Sequence, residues 1–368
     1  MKKIIASLVA AALFSFAAFA DDEGLKVSGY LRAGATDTTE GSVYTTSTWM
    51  HGDYFGGATR LRVNVDYSKA FGGLTFRYQQ TKTLNDFFNK DNLKWAMGYA
   101  NFADGQVIAE AGVLTDRFTR TGGWEDDGIG YGNGARLVFV PQAVAGLTVV
   151  AQASDEFADK YTEADDKVKD KKANKDDIKF DKKVLGFSAK YEKEAFFVTG
   201  GAALAGKYYG SVGITSVENL SFVVEAFCDK TADSDEKDNT MICAWAEYTG
   251  VEKVTLGLVV YAYVADDAFF VAKATDQKDP SYPTFVSINP AVAYDLNDLV
   301  QLSAEATVYL PKSWDEDKYG KKLDSYATIS PAVTFKASDK ATATVSGLIS
   351  TNKDYAKHAF TAGVCYKF

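Results

Sequence analysis

The sequence predicts an all-β fold: a closed, antiparallel, up-and-down transmembrane β-barrel of about eighteen strands, or sixteen if one weak hairpin is misread. Three observations predict it. Segment after segment alternates apolar and polar residues with period two, the connections between them alternate short and long, and the last strand carries a continuous aromatic and aliphatic ridge. Period-two alternation over many segments marks a sheet whose faces meet different solvents.

The elements follow in order. Lys2 and Lys3 precede an almost wholly apolar run, Ile4 to Phe19, and Ala18-Phe19-Ala20 forms a small-x-small cleavage site before Asp21. This reads as a secretory signal peptide over 1–20, leaving 21–368 as one barrel domain. A retained N-terminal anchor is disfavoured because the apolar run is short.

In the first barrel segment Leu25, Val27 and Leu31 oppose Lys26, Ser28 and Arg32. Next, Leu61, Val63, Val65 and Tyr67 oppose Arg60, Arg62, Asn64 and Asp66, and Leu74, Phe76 and Tyr78 oppose Thr75, Arg77 and Gln79. Further on, Val300, Leu302, Ala304, Ala306, Val308 and Leu310 oppose Gln301, Ser303, Glu305 and Thr307. In the final strand Phe360, Ala362, Val364, Tyr366 and Phe368 share one face, opposite Thr361, Gly363, Cys365 and Lys367. Such a ridge invites aggregation on an open sheet edge but suits lipid in a closed barrel, where this strand pairs with the first, Leu25–Ala35.

Short turns lie at Ser68–Gly73, Ala103–Gln106, Pro141–Gly146, Glu192–Glu194, Val217–Asn219, Thr249–Glu252, Asp295–Asp298 and Ser338–Lys340. Longer polar connections lie at 37–57, 81–91, 115–133, 155–183, 229–239, 265–282, 311–325 and 351–357, with a brief one, Ala205–Lys207, where a long one is expected. Keeping the long connections at one end is the habit of a membrane barrel with short periplasmic turns and longer external loops. Segment 155–183 holds ten acidic residues and nine lysines, too polar to bury apolar surface, and reads as a solvated external loop. Cation binding by Asp165-Asp166 or Asp176-Asp177 is disfavoured, since calcium loops need ordered oxygen spacing and Gly.

Composition agrees. Aromatics make up 14% of the chain, with 21 Tyr and 24 Phe, while Pro is held to 6. No apolar run beyond the leader is long enough for a spanning helix. Loss of Lys2 and Lys3 moves the formal charge from −9 to −11, which argues against a nucleic-acid partner. Cys228 and Cys243 sit near the two ends of one connection, so a cross-hairpin disulfide and two buried free thiols both stay open; with Cys365 the count is odd.

Little in the sequence suggests covalent chemistry. The two histidines, His51 and His358, fall in separate external regions, and no nucleophile elbow, phosphate loop or zinc motif is present. His51-Gly52-Asp53 could form part of a catalytic site, but a lone His beside an Asp in a loop is ordinarily solvated. The expectation is no enzyme, no cofactor and no metal.

The stronger signal is electrostatic. Arg32, Arg60, Arg62, Arg77 and Arg136 occupy polar-face positions of early strands. An Arg on the lipid face costs about 2–4 kcal/mol at the midplane, so these side chains should point inward. Asp66 and Glu110 share that interior, and Glu225 and Glu305 lie further round. A charged interior this wide holds water and makes a channel, unless the charges pair across a plugged lumen.

With these features the chain resembles the general diffusion porins of Gram-negative bacteria, and its leader and strand style are similar to those of treponemal outer-membrane proteins. Its ending resembles the last strand of outer-membrane barrels, which implies recognition by the barrel assembly machinery through Phe360, Tyr366 and Phe368. In the general porins the external loop between the fifth and sixth strands folds into the lumen and sets acidic residues against wall arginines. Here that loop is Thr115–Asn133, and the resemblance implies Glu125, Asp126 and Asp127 on the negative side and Arg32, Arg60, Arg62 and Arg77 on the positive one. It also implies an outer-membrane location and passage of small hydrophilic solutes, and leaves a homotrimer open as the assembly. Two rival readings are a narrow barrel acting as an adhesin or surface-binding protein through its loops, and a transporter of hydrophobic substrates. The second would want an apolar lumen and a plugging segment, for which the four residues before Leu25 leave no room.

Overall fold

The structure, a computed structural model, describes residues 24–38, 60–80, 93–119, 132–154, 185–214, 217–229, 239–264, 284–313, 325–351 and 358–368. Eighteen strands follow in chain order. The first six are β1 (Leu25–Thr38), β2 (Arg60–Lys69), β3 (Gly72–Gln80), β4 (Leu93–Phe102), β5 (Val107–Leu114) and β6 (Gly132–Phe139). Next come β7 (Leu147–Ser154), β8 (Leu185–Lys193), β9 (Phe196–Ala203), β10 (Lys207–Ile214), β11 (Leu220–Asp229) and β12 (Asn239–Val251). The chain completes the sheet with β13 (Val254–Val264), β14 (Thr284–Asn297), β15 (Val300–Ser313), β16 (Tyr326–Ser338), β17 (Ala341–Ser350) and β18 (Ala359–Lys367).

Each strand pairs antiparallel with its sequence neighbours, and β18 pairs with β1, so the sheet closes on itself. The seam runs from Tyr30 opposite Lys367 to Thr38 opposite Ala359. Phe368 prolongs it: its N–H donates to Gly29 O, and its C=O accepts from Gly29 N–H, both at 3.0 Å. Gly29 is needed there, because a Cβ would lie 2.1 Å from the Arg62 carbonyl oxygen and 2.8 Å from the Phe368 ring. Closure leaves no strand edge unpaired, the condition for placing a sheet in hydrocarbon.

The expected strand count, the pairing of last strand with first, and the short–long rhythm of connections are all found. The tight turn between β4 and β5 shows how one end stays short. Ala103, Asp104 and Gly105 take φ of 50°, 54° and 82°, and Gly105 N–H and Gln106 N–H close back on the Phe102 and Ala103 carbonyls at 3.1 Å. Left-handed residues in succession reverse the chain with little waste, and Asp and Gly tolerate that region.

Residues directly opposite on paired strands share a face, so the register can be followed round the ring. Arg32 faces Arg60, Arg62 faces Gln79, Asn64 faces Arg77, Thr75 faces Met97, Tyr99 faces Glu110 and Glu110 faces Arg136. Continued through Gln152, Thr199, Ser211, Glu225 and Glu305, the same parity returns to Cys365 opposite Arg32. On the other face Phe360 is 56% exposed and Val364 57%, while Thr361 between them on the inner parity is 6% exposed. The apolar ridges therefore turn outward, as lipid requires, and the polar series turns into the barrel.

With strands ~4.8 Å apart and tilted ~40°, eighteen of them make a backbone cylinder on the order of 35 Å across. Side chains of ordinary length cannot fill that width.

Two expectations need comment. Cys228, Cys243 and Cys365 are all free thiols, which corrects the disulfide alternative. Cys228 pairs with Thr240 and Cys243 with Glu225, so the two cysteines stand three register positions apart on opposite faces of the sheet and cannot be bridged. The leader, His51-Gly52-Asp53, the acidic pairs of 155–183, and Glu125, Asp126 and Asp127 lie outside the described residues.

Candidate functional site: the inner wall

The inner face of β1 to β4 is a connected arginine–aromatic network. Arg60 and Arg62, two residues apart, sit on one face of β2, with Arg60 opposite Arg32 and Arg62 opposite Tyr30. The Tyr30 ring lies between two guanidiniums, 5.4 Å from Arg32 and 4.9 Å from Arg62. One strand on, Arg77 stacks over the indole of Trp95 at 3.8 Å, near contact distance.

Neutral amides orient two of these arginines. Arg62 Nε donates to Gln79 Oε1 at 2.6 Å, and Arg77 Nε to Asn64 Oδ1 at 2.5 Å. An amide fixes a guanidinium's direction without cancelling its charge. Asp66, on the same wall, accepts from Thr75 Oγ1 at 2.6 Å, and Thr75 in turn accepts from the Trp95 indole N–H at 3.4 Å. The four arginines that the sequence grouped together are adjacent on three neighbouring strands, with Arg32 buried at 1% exposure and the other three half-buried.

Glu110 and Arg136 are arranged differently. They are direct cross-strand partners on β5 and β6, and Arg136 Nε donates to Glu110 Oε2 at 2.5 Å with both side chains shut off from solvent. Arg117 closes on the other carboxylate oxygen of Glu110. Arg136 Nη2 also donates to the Thr115 carbonyl at 2.7 Å. One carboxylate therefore holds a wall arginine and a loop arginine together, each through one of its two oxygens.

This cluster seats the start of the long connection after β5. Leaving the strand, Thr115, Asp116 and Thr119 are buried rather than exposed. Asp116 folds its carboxylate back on the local chain, accepting from Phe118 N–H at 3.1 Å, Thr119 N–H at 2.9 Å and Thr119 Oγ1 at 2.5 Å. Ser188 Oγ on β8 donates to Thr119 Oγ1 at 3.4 Å. Since β8 is three strands beyond β5, residues 115–119 cross the inner wall over β6 and β7. Arg117 stacks on Tyr99 at 4.5 Å, and Phe118 lies between Arg117 and Arg136 at 5.0 and 5.3 Å.

Sequence reasoning missed Asp116, Arg117, Thr119 and Ser188. Asp116-x-x-Thr119 carries a weak local signal, an Asx-type turn, but nothing in the sequence joins Arg117 to Glu110 or Thr119 to Ser188. Further round, Glu225 and Glu305 hold inner positions on β11 and β15, buried at 1% and 4% exposure. At the short-turn end Asp295 links β14 to β15 and β16, accepting from Gln301 at 2.9 Å and from Lys336 at 2.6 Å. His358 accepts the Ser350 backbone N–H at 3.2 Å. Among the described residues no group of three His, Cys, Asp or Glu is placed to hold a metal ion.

No protein-family model matches this sequence, and no curated protein matches it. Solved structures do match in shape. Pseudomonas aeruginosa OccK3 (OpdO) superposes with a TM-score of 0.54 at 9% identity, covering 95% of this chain and 96% of its own. Acinetobacter baumannii OccAB3 gives 0.52 at 12% identity, over 94% of this chain and 99% of its own. P. aeruginosa OccK2 (OpdF), solved in complex with glucuronate, gives 0.52 at 9% identity, over 94% and 98%. These are outer-membrane porins. At such identities the likeness is one of fold alone: a barrel closed by eighteen antiparallel strands.

Proposed function

We propose that the protein is an outer-membrane porin, a water-filled channel for passive diffusion of small hydrophilic solutes, working without cofactor or covalent chemistry. The observation that carries this reading is the inner wall of β1 to β4, where Arg32, Arg60, Arg62 and Arg77 stand together on the face opposite the lipid ridge. Clustered charge inside a membrane barrel is stable only beside water or counter-charge, and a cylinder this wide accommodates water. The bound glucuronate of OccK2, an anionic sugar, agrees with a channel for hydrated solutes.

In this reading Arg60, Arg62, Asp66 and Arg77 line the path on one side, Arg32 stands buried beside them at 1% exposure, and Glu225 and Glu305, buried too, belong to the remaining wall. Glu110 and Arg136 seat residues 115–119, and the connection that follows, with Glu125, Asp126 and Asp127, narrows the lumen. The inward course of 115–119 supports that assignment. A positive wall facing acidic loop residues sets a transverse field that favours hydrated polar solutes over apolar ones. The surface-binding alternative rests on connections outside the described residues and gains no specific support.

The test is planar-bilayer conductance of the purified, refolded protein in KCl. Discrete steps on the order of a nanosiemens are expected for an open barrel. A silent bilayer from protein that keeps its heat-modifiable mobility would remove the channel reading.

A further inference from the structure

Among the described residues two ladders of the barrel are interrupted in mid-strand, and a proline stands at each gap. Between β14 and β15 the pairing runs to Ile288 opposite Val308 and resumes at Ala291 opposite Glu305. Between β16 and β17 it runs to Ile329 opposite Ile349 and resumes at Ala332 opposite Ser346. The register is unchanged across both gaps, so neither is a bulge. A proline has no N–H, so Pro290 withholds a ladder bond from the Ala306 carbonyl and Pro331 withholds one from that of Gly347. Asn289 does not mend the first gap, because its amide is given to the Val259 carbonyl on β13 and to Ser287 Oγ, each at 3.2 Å. The chain has only 6 prolines, and those within its strands are Pro290, Pro311 and Pro331, on β14, β15 and β16.

The two gaps flank one hairpin at nearly one height. β15 and β16 pair without a break from Val300 opposite Phe335 to Tyr309 opposite Tyr326, and Ala304 faces Pro331 two residues from Ala306. Beyond the gap, the ladder ties the outer half of this hairpin to β17 only through Ile329 with Ile349 and Thr328 with Ser350. Thr351 N–H adds a bond to the Ala327 carbonyl, and Ala327 N–H one to Thr351 Oγ1, both at 2.9 Å. The strands are also long: β14, β15 and β16 have 14, 14 and 13 residues, whereas about 9–11 suffice to cross a bilayer. With short turns at the other end, the surplus stands on the side of the long connections, past the support of lipid. Tyr309 and Tyr326 stack on the lumen side of this outer half, with ring centroids 4.6 Å apart and planes at 18°.

We propose that the outer half of the β15–β16 hairpin is a gate hinged at Pro290 and Pro331. It parts from β17 beyond the gap and swings inward as a unit, because its own ladder is unbroken. The swing carries the stacked tyrosines into the lumen and switches the channel to a second, lower conducting level. Local rules are broken where function needs it, and a proline in the middle of a membrane sheet breaks one. The inference rests on the channel reading and adds a conformational step to it.

Hydrogen exchange by mass spectrometry on the intact, refolded protein in detergent tests the hinge, and single-channel recording in KCl tests the gate. Amides of 326–330 and 348–351 should exchange about tenfold faster than those of 332–336 and 342–346 on the same two strands. Pro331→Ala returns an N–H to the Gly347 carbonyl; it should bring the outer segments to the slower rate and abolish the lower current level. Equal exchange on the two sides of Pro331 in the wild type overturns the hinge. A conducting wild-type channel with a single level overturns the gate and leaves the channel reading standing, whereas a bilayer silent in KCl overturns both. Two levels that persist in a Pro331→Ala protein with slowed exchange overturn the link between them. The wild-type measurements decide the matter even if the variant fails to fold.

Discussion

Glu110 and Arg136 occupy directly opposed positions on β5 and β6 and meet at 2.5 Å with both side chains closed to solvent. Neither ion is stable there alone. Desolvating a carboxylate or a guanidinium costs several kcal/mol, which is offset only when the partner and further hydrogen bonds are in place. The Thr115 carbonyl and Arg117 complete that set, so the wall pair and the inward segment depend on one another.

Breaking the pair should therefore do two things. Glu110→Gln leaves Arg136 buried without its counter-charge, and removing one partner of a buried pair costs about 3–5 kcal/mol. The expected result is a lower urea midpoint, followed by tryptophan fluorescence in detergent. The same variant should give noisier open-channel current than wild type, because residues 115–119 lose their anchor. Unchanged noise with a lowered midpoint would confine Glu110 to a role in stability.

The arginine wall makes an ion-selectivity prediction. A unit charge about 10 Å from a passing ion in water contributes about 0.4 kcal/mol, roughly a twofold effect per charge. Each charge attracts the anion and repels the cation alike, so Arg62→Gln together with Arg77→Gln should lower the anion-to-cation permeability ratio by about an order of magnitude on that unscreened scale, and less as salt rises. Reversal potentials across a KCl gradient measure it, and an unmoved potential would place these arginines away from the ion path.

Adjacent residues on β10 offer a test of which face is which. Val212 is 45% exposed on the outer parity, whereas Ser211 is inward and directly opposite Glu225. Val212→Arg places a charge in lipid and should destabilise the barrel by about 2–4 kcal/mol if the site lies near the midplane. Ser211→Arg, beside a carboxylate, should cost much less. Unfolding midpoints of the two variants give the comparison, and equal losses would contradict the assigned register.

The cysteines give a simple chemical check. Since Cys228, Cys243 and Cys365 are free, protein denatured without reductant should titrate three thiols. A count of one would restore the Cys228–Cys243 bridge and shift the register of β11 against β12.

The seam can be probed through the last residue. Phe368 bonds Gly29 through both its backbone groups and lays its ring over that glycine. Phe368→Ser keeps the backbone bonds but removes the ring, and, if the ending is read by the assembly machinery, should reduce the heat-modifiable form in outer-membrane fractions. The same variant refolded in detergent should close normally. Failure in both settings would make the ring a structural requirement of the seam instead.

By itself the sequence determined the barrel, because that information is local and repeated. Period two puts Phe360 and Val364 on one face and Thr361 on the other whatever their partners, and lipid cost forces Arg32, Arg60, Arg62 and Arg77 to the opposite side. Turn and loop lengths then gave eighteen or sixteen strands and the pairing of the last strand with the first, and the structure decides for eighteen. What only the tertiary structure decided depends on register and on chain folding back across strands. Cys228 and Cys243 are near in sequence, but antiparallel register sends them to opposite faces. Thr119 meets Ser188 across 69 residues, and Arg117 closes on Glu110, because the chain after β5 turns inward, a choice no periodicity encodes.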